Sequence, residues 1–318
     1  MGEVMDQAVF VNHQFAGKIL MACISPLFPF IIVSNALLIL IVYRNHSLRT
    51  PTNIIVASLA FSNLVDALIR LPLNTYGVVF KIEEACTGDE DSLYHLPLQI
   101  IAGVSFGHIV ALTADRYIAV TKPLRYVQIV TLTRIAIVLG SLWILSTLLN
   151  SVRYVGFKLQ TNSTILDRNK TICDRPYSGS MSFNFGWLLL SVVVVLMVAL
   201  HVINTLLLRI AMKQKRKIAI QRVVIGFHQD QPPAQNDRLK AFKTISLVVL
   251  LFVIFWFPFP VYLVLWLTTY VSPQTFSVYC NCFLVWHTIS LIVNPLYGFR
   301  DRAFRKNFQN IFRQCRAP

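Results

Sequence analysis

From Thr244 to Phe299 the chain runs for 56 residues without a single Asp, Glu, Lys or Arg. As one helix that run would be about 84 Å long at 1.5 Å per residue. The hydrocarbon core of a bilayer is only about 30 Å thick and is crossed by about 20 apolar residues. The run is therefore two crossings, divided at the polar, proline-bearing stretch Thr268–Pro273. About a quarter of the residues in a soluble domain carry charge, whereas here 14% do, against 55% hydrophobic residues and a mean hydropathy of +0.60. That balance excludes an ordinary soluble enzyme and a disordered chain. Six cysteines in 318 residues, with no Cys-x-x-Cys spacing, exclude a disulfide scaffold and a cysteine-based metal site.

Four more charge-free stretches are long enough to cross: Ile19–Tyr43, Ser92–Ala114, Ile135–Val152 and Pro176–Leu208. Ile54–Phe80 is equally apolar but carries Asp66 and Arg70. The expected fold is an all-α membrane protein, a bundle of seven transmembrane helices, in one domain over residues 1–318. Residues 1–18 form an outer tail, 19–298 the bundle, and 299–318 an interfacial helix with a cytoplasmic tail. Glu3 and Asp6 stand before the first apolar run, so no cleavable signal is read there and the first span is expected to insert by itself.

Lys and Arg placement gives the orientation. With the N-terminus outside, Arg44–Asn53, Arg116–Arg134, Arg209–Lys243 and Arg300–Pro318 face the cytoplasm and hold 21 of the 29 basic residues. Counting Asp115 at the edge, that face carries +17 and the remainder −2, which accounts for the whole net charge of +15. The basicity is thus a membrane signature that also attracts anionic lipid, and nucleic acid is not an expected partner. The sequons at Asn162 and Asn169 fall in the loop after the fourth span, where glycosylation fits an outside location.

The ends and middles of the spans carry distinctive residues. The third closes on Asp115-Arg116-Tyr117, opening a twelve-residue string that runs to Tyr126. The sixth holds Phe252, Trp256 and Pro258, and the seventh Asn294-Pro295-Leu296-Tyr297. The first has Asn35, the second Leu59-Ala60-Phe61-Ser62-Asn63, and the fourth Trp143. Beyond the seventh, Phe304, Phe308 and Phe312 recur every fourth residue among Arg300, Arg302, Arg305 and Lys306, the pattern of a short amphipathic eighth helix on the membrane surface. This ordered set resembles the rhodopsin-like, class A, G-protein-coupled receptors over nearly the whole chain. It is nearest in look to adenosine and melatonin receptors, without their full ligand-site residues.

The resemblance implies that Asp115, Arg116, Tyr117, Asn294, Pro295 and Tyr297 couple to a G protein, and that Phe252, Trp256 and Pro258 switch the sixth helix. Physically, an unpaired arginine costs about 2.5–3.5 kcal/mol at the centre of a membrane helix and less toward its edge, and Asp115 is its natural resting partner. A proline removes a backbone hydrogen bond and permits a bend. The plain readings are an interfacial ion pair and an ordinary membrane tryptophan and proline. The resemblance also implies an outer bridge, Cys86–Cys173, although Cys86 stands 30 residues before Arg116, further than the family's cysteine usually does. Cys280 and Cys282 read as free thiols. Cys315 is a palmitoylation candidate, with an unmodified thiol as the alternative.

Several positions depart from the family's pattern. Asn63 stands where an aspartate usually helps to hold sodium. Asp66 and Arg70 have the spacing of an ion pair within one helix, with ligand contact as the alternative. Ala199 and Leu207 replace a proline and a tyrosine of the fifth helix. The seventh-helix motif is one residue short, about 100° of rotation, and Arg238 replaces an acid at the base of the sixth. His95, Leu98, Gln99, Leu263 and His287 are the candidate pocket residues, the histidines being equally readable as packing groups. Leu98 replaces the aspartate of amine receptors and Leu263 an asparagine of adenosine receptors.

The expected function is a multi-pass plasma-membrane receptor, with no catalytic residues, metal or cofactor. It binds a small extracellular ligand inside the bundle and activates a heterotrimeric G protein by opening the sixth helix. Arrestin, a receptor kinase and membrane lipid are further expected partners. A seven-helix transporter or channel is the alternative from another class, and a receptor-like protein that no longer drives G proteins is the alternative within it.

Overall fold

The computed structural model describes residues 25–80, 91–163, 180–224, 233–257 and 304–309, with single positions at 19, 22, 23, 260, 261, 264 and 291. Six long helices fill those segments: α1 (Leu27–Arg44), α2 (Pro51–Phe80), α3 (Asp91–Thr121), α4 (Leu132–Ser163), α5 (Ser180–Val224) and α6 (Pro233–Trp256). Among the described residues there is no strand. A 3-10 turn, His46–Leu48, joins α1 to α2, and a one-turn helix, Tyr126–Ile129, lies between α3 and α4.

Helix starts follow local chemistry. The Thr50 hydroxyl accepts the Asn53 backbone N–H at 3.3 Å while Pro51 takes the first helical position, where a proline's missing donor is no loss. Thr131 caps α4 likewise, accepting the Arg134 N–H at 3.3 Å.

Helices α3 to α6 run further than the charge pattern predicts. The apolar part of α5 is Leu190–Ile210, yet the helix continues to Val224. The 14 residues past Ile210 add about 21 Å at 1.5 Å each, and include Lys213, Lys215, Arg216, Lys217 and Arg222. Lys, Arg, Gln and Ala are good helix formers, so leaving the membrane gives the helix no reason to stop. For the same reason α6 starts at Pro233, ahead of the charge-free run, and Arg238 is helical at its base as expected. A further correction is at Asn162, which lies in the last turn of α4 rather than in the loop beyond it.

α3 is the central helix, packed against α2, α4, α5 and α6, while α1 packs on α2. Among the described residues, α1, α2, α4 and α5 contain segments long and apolar enough to cross a membrane. α3, shielded by its neighbours, carries polar residues inward: Ser105, His108 and Thr113 are all buried. α4 is the opposite case. Ile144, Leu145, Leu148, Leu149 and Val152 are exposed along it, as a lipid-facing helix requires.

The core joins Leu38 and Ile41 of α1, Ile55 and Leu59 of α2, Ile109 and Leu112 of α3, and Val249, Phe252 and Trp256 of α6. Hydrogen bonds tie the helices across it. Ser62 and Ser105 hydroxyls meet at 3.2 Å, Ser146 Oγ donates to the Ile100 carbonyl at 2.8 Å, and Asn204 Nδ2 donates to the Ser246 carbonyl at 3.0 Å. Each bond of this kind inside a membrane contributes about 0.6–2 kcal/mol. Residues 304–309 are helical, with Phe304 buried, Phe308 packed against the core, and Arg305 and Lys306 exposed.

Candidate functional site

The inner end of α3 carries a compact polar cluster. Asp115 is buried, and its carboxylate receives donors from three elements. Thr52 Oγ1, in the first turn of α2, donates to Oδ2 at 2.8 Å. The Tyr126 hydroxyl, from the one-turn helix, donates to Oδ1 at 2.7 Å. Arg116 donates through Nε at 3.0 Å and Nη2 at 2.5 Å, and Nη2 also reaches Thr52 Oγ1. The Arg116 side chain is 14% exposed and that of Asp115 fully buried. A buried carboxylate is tolerated only when paired and hydrogen-bonded, and this one is. Tyr117, by contrast, is exposed.

The sequence reading therefore places Arg116 on Asp115 correctly but passes over Thr52 and Tyr126. Tyr126 closes the twelve-residue string, yet nothing local to it announces the contact. Burial pushes its phenol up from 10.0 to about 12. The Asp115 bond and charge add to the rise, and Thr52 and Arg116 oppose it. A value raised in the folded state means that the protonated phenol favours folding. This contribution is intact below pH 10 and is lost as pH climbs toward about 12. The melting temperature lost in Tyr126→Phe should accordingly be constant from about pH 6 to 9 and shrink only above about pH 10, by calorimetry of purified protein.

A second cluster lies deeper. Phe252 and Trp256 of α6 stack with ring centroids 5.3 Å apart, and Phe106 of α3 meets Trp256 edge-on at 6.0 Å and Phe252 at 6.1 Å. The α6 helix ends at Trp256, and Phe257 bonds back to the Ile254 carbonyl at 3.3 Å in a turn. Phe106 is the missed member, since one aromatic on an apolar helix reads as core. Leu207 is buried against Val120 of α3, so an apolar contact stands where the resemblance leads one to expect a tyrosine hydroxyl.

Asn35 and Asn63 are both buried, and Asn35 Nδ2 donates to the Ile31 carbonyl at 2.9 Å and the Leu291 carbonyl at 3.4 Å. His108 is fully buried between Val104 O at 2.7 Å and Ser58 Oγ at 2.8 Å, a packing histidine in a satisfied site. Asp66 is fully buried and engaged. Gln99 is half-buried on α3. The side chains of Arg70, His95, Leu98 and Asn162 lie outside the described residues. So do Cys86, Asn169, Cys173, Pro258, Leu263, His287, Asn294, Pro295, Tyr297 and Cys315. Among the described residues no group of His, Cys, Asp and Glu is arranged to hold a metal.

The family model for the 7 transmembrane receptor (rhodopsin family) matches residues 34–297. The chain belongs to this rhodopsin family of receptors. Its relatives agree. The receptor is 24% identical to neuromedin-U receptor 1 of Mus musculus, over 90% of this chain and 71% of that one. It is 23% identical to adenosine receptor A3 of Bos taurus, over 89% and 86%, and 24% identical to melanocortin receptor 3 of Mus musculus, over 90% and 83%. It is a multi-pass membrane protein and a G-protein-coupled receptor rather than an enzyme. The family resemblance read from the motifs is borne out.

Proposed function

We propose that the receptor sits in the plasma membrane with its N-terminus outside, as one seven-helix domain, and takes a small extracellular ligand between the outer halves of its helices. The pocket draws on His95, Leu98, Gln99, Leu263 and His287, closed above by a Cys86–Cys173 bridge. Ligand contact displaces Trp256 and, through the stacked Phe252 and Phe106, lets helix six swing outward at Pro258. The swing is a population shift, limited by the ligand's preference for the open state. At the inner end Arg116 leaves Asp115 and meets the G protein, with Asn294, Pro295 and Tyr297 repacking beside it. Asn63, a neutral amide, gives sodium no charge to bind. Asn162 and Asn169 carry glycans and Cys315 an acyl chain; arrestin, a receptor kinase and inner-leaflet lipid bind the basic face.

The observation that carries this reading is the Arg116 guanidinium held on a buried carboxylate that two other elements also grip. The structure holds this cluster closed on Asp115; the proposed switch adds a second arrangement in which Arg116 is released. The test is cAMP and calcium in cells expressing wild type or Arg116→Ala at matched surface levels, against purine, indole, amine and peptide panels. A basal or evoked response in wild type should fall by about tenfold or more in the variant, a loss of about 1.4 kcal/mol of coupling. An undiminished response in Arg116→Ala would overturn the assignment.

A further inference from the structure

We propose that Arg134, in the first turn of α4, is a positioning residue for the inner latch, bracing the one-turn helix whose Tyr126 hydroxyl holds Asp115. This rests on the G-protein switch proposed above. Four residues of helix cannot sustain themselves, because nucleation is costly and every carbonyl in so short a piece faces a terminus. The last carbonyls of Tyr126–Ile129 find an outside partner. Arg134 Nη1 donates to the Gln128 carbonyl at 3.0 Å and to the Ile129 carbonyl at 2.8 Å. A cation on these carbonyls also suits the negative end of a helix. Arg134 is itself exposed, so its guanidinium has solvent and lipid headgroups available and is nevertheless folded back onto its own chain. It is held there because its backbone N–H is fixed by Thr131 Oγ1, and Ile135 bonds to the Thr131 carbonyl at 3.0 Å.

The path from α4 to the latch is short and continuous. Thr131 fixes the start of α4, Arg134 reaches back to Gln128 and Ile129, and Val130 is buried as the anchor between them. Tyr126 then spans 2.7 Å to Asp115. Arg134 touches neither Asp115 nor Arg116; it fixes where the tyrosine hydroxyl stands.

The test uses the full-length receptor in lipid nanodiscs. Amide hydrogen exchange across residues 123–131 and basal nucleotide exchange on a G protein are measured for wild type, Arg134→Ala, Arg134→Lys, Tyr126→Phe and the Arg134→Ala/Tyr126→Phe pair. Arg134→Ala should speed exchange of the Tyr126–Val130 amides about threefold or more and raise basal activity in the same direction as Tyr126→Phe. The pair should match Tyr126→Phe alone, since both act on one contact. Lysine, with an ammonium that still reaches a carbonyl, should restore part of both effects. Unchanged amide exchange in Arg134→Ala overturns the proposal, as does faster exchange whose activity effect adds fully to that of Tyr126→Phe or is absent. If Arg116→Ala leaves G-protein activation at the wild-type level, the functional reading fails instead, while the amide exchange still decides whether Arg134 braces the loop.

Discussion

Asp115→Asn should raise basal G-protein activation by about tenfold and lower the melting temperature of the resting receptor. The carboxylate is the common acceptor for Thr52, Tyr126 and Arg116. An amide keeps the shape but loses the charge and presents two donors to partners that are donors themselves. Breaking one side of a buried ion pair costs about 3–5 kcal/mol. Arg116 is not wholly buried, so part of that is recovered by solvent, and about 1.4 kcal/mol between the closed and open states is enough for a tenfold shift. Thr52→Val, which removes one hydroxyl and leaves the ion pair, should produce a smaller shift of about 1 kcal/mol in the same direction. Basal nucleotide exchange by purified receptor at fixed G-protein concentration reads both. Basal activity at or below wild type in Asp115→Asn would show that the cluster does not restrain the closed state.

How much of this was legible in the sequence depends on the range of the physics. Charge is expelled from hydrocarbon over about 20 residues at a time, so the runs around Ile19–Tyr43 and Thr244–Phe299 declare themselves. The end of α5 does not, because Lys213 to Lys217 favour helix whether in water or at the membrane edge. Asp115 and Arg116 are adjacent, and their pairing is local. Thr52 lies 63 residues from Asp115, and its arrival at the carboxylate depends on the register of α2 against α3, which no local pattern encodes. Phe106 reaches Phe252 and Trp256 for the same kind of reason. Arg134 reads as one more positive-inside charge, and only the loop's folded path reveals its carbonyl partners.

One long-range contact did leave a sequence mark. Gly103 and Gly107 are four apart on α3, the small-residue spacing that lets membrane helices approach closely, and both face α4. A Cβ added at Gly103 would stand 2.6 Å from Ser146 Oγ, and one at Gly107 would stand 2.7 Å from Leu142 Cδ2. The two contacts are not equal. Leu142 ends in a flexible isobutyl group that turns aside, whereas Ser146 Oγ is committed to the Ile100 carbonyl at 2.8 Å. Gly103→Ala should therefore break an interhelical hydrogen bond and destabilise by about 1–2 kcal/mol, more than Gly107→Ala. Gly140, on α4, has nothing within 4 Å of such a Cβ. Gly140→Ala should be neutral or stabilise by up to about 1 kcal/mol through the helix backbone alone. Replacing both Gly103 and Gly107 with leucine should wedge α4 off the central helix and nearly abolish correctly folded receptor. Surface expression and the melting temperature of detergent-solubilised protein measure the series. A double leucine variant that reaches the surface at wild-type level would mean that α4 does not need its close seat on α3. Trp143, whose ring meets Phe61 of α2 at 6.0 Å, and Ile135 and Leu139 in the core would then be among the contacts that hold that helix in place.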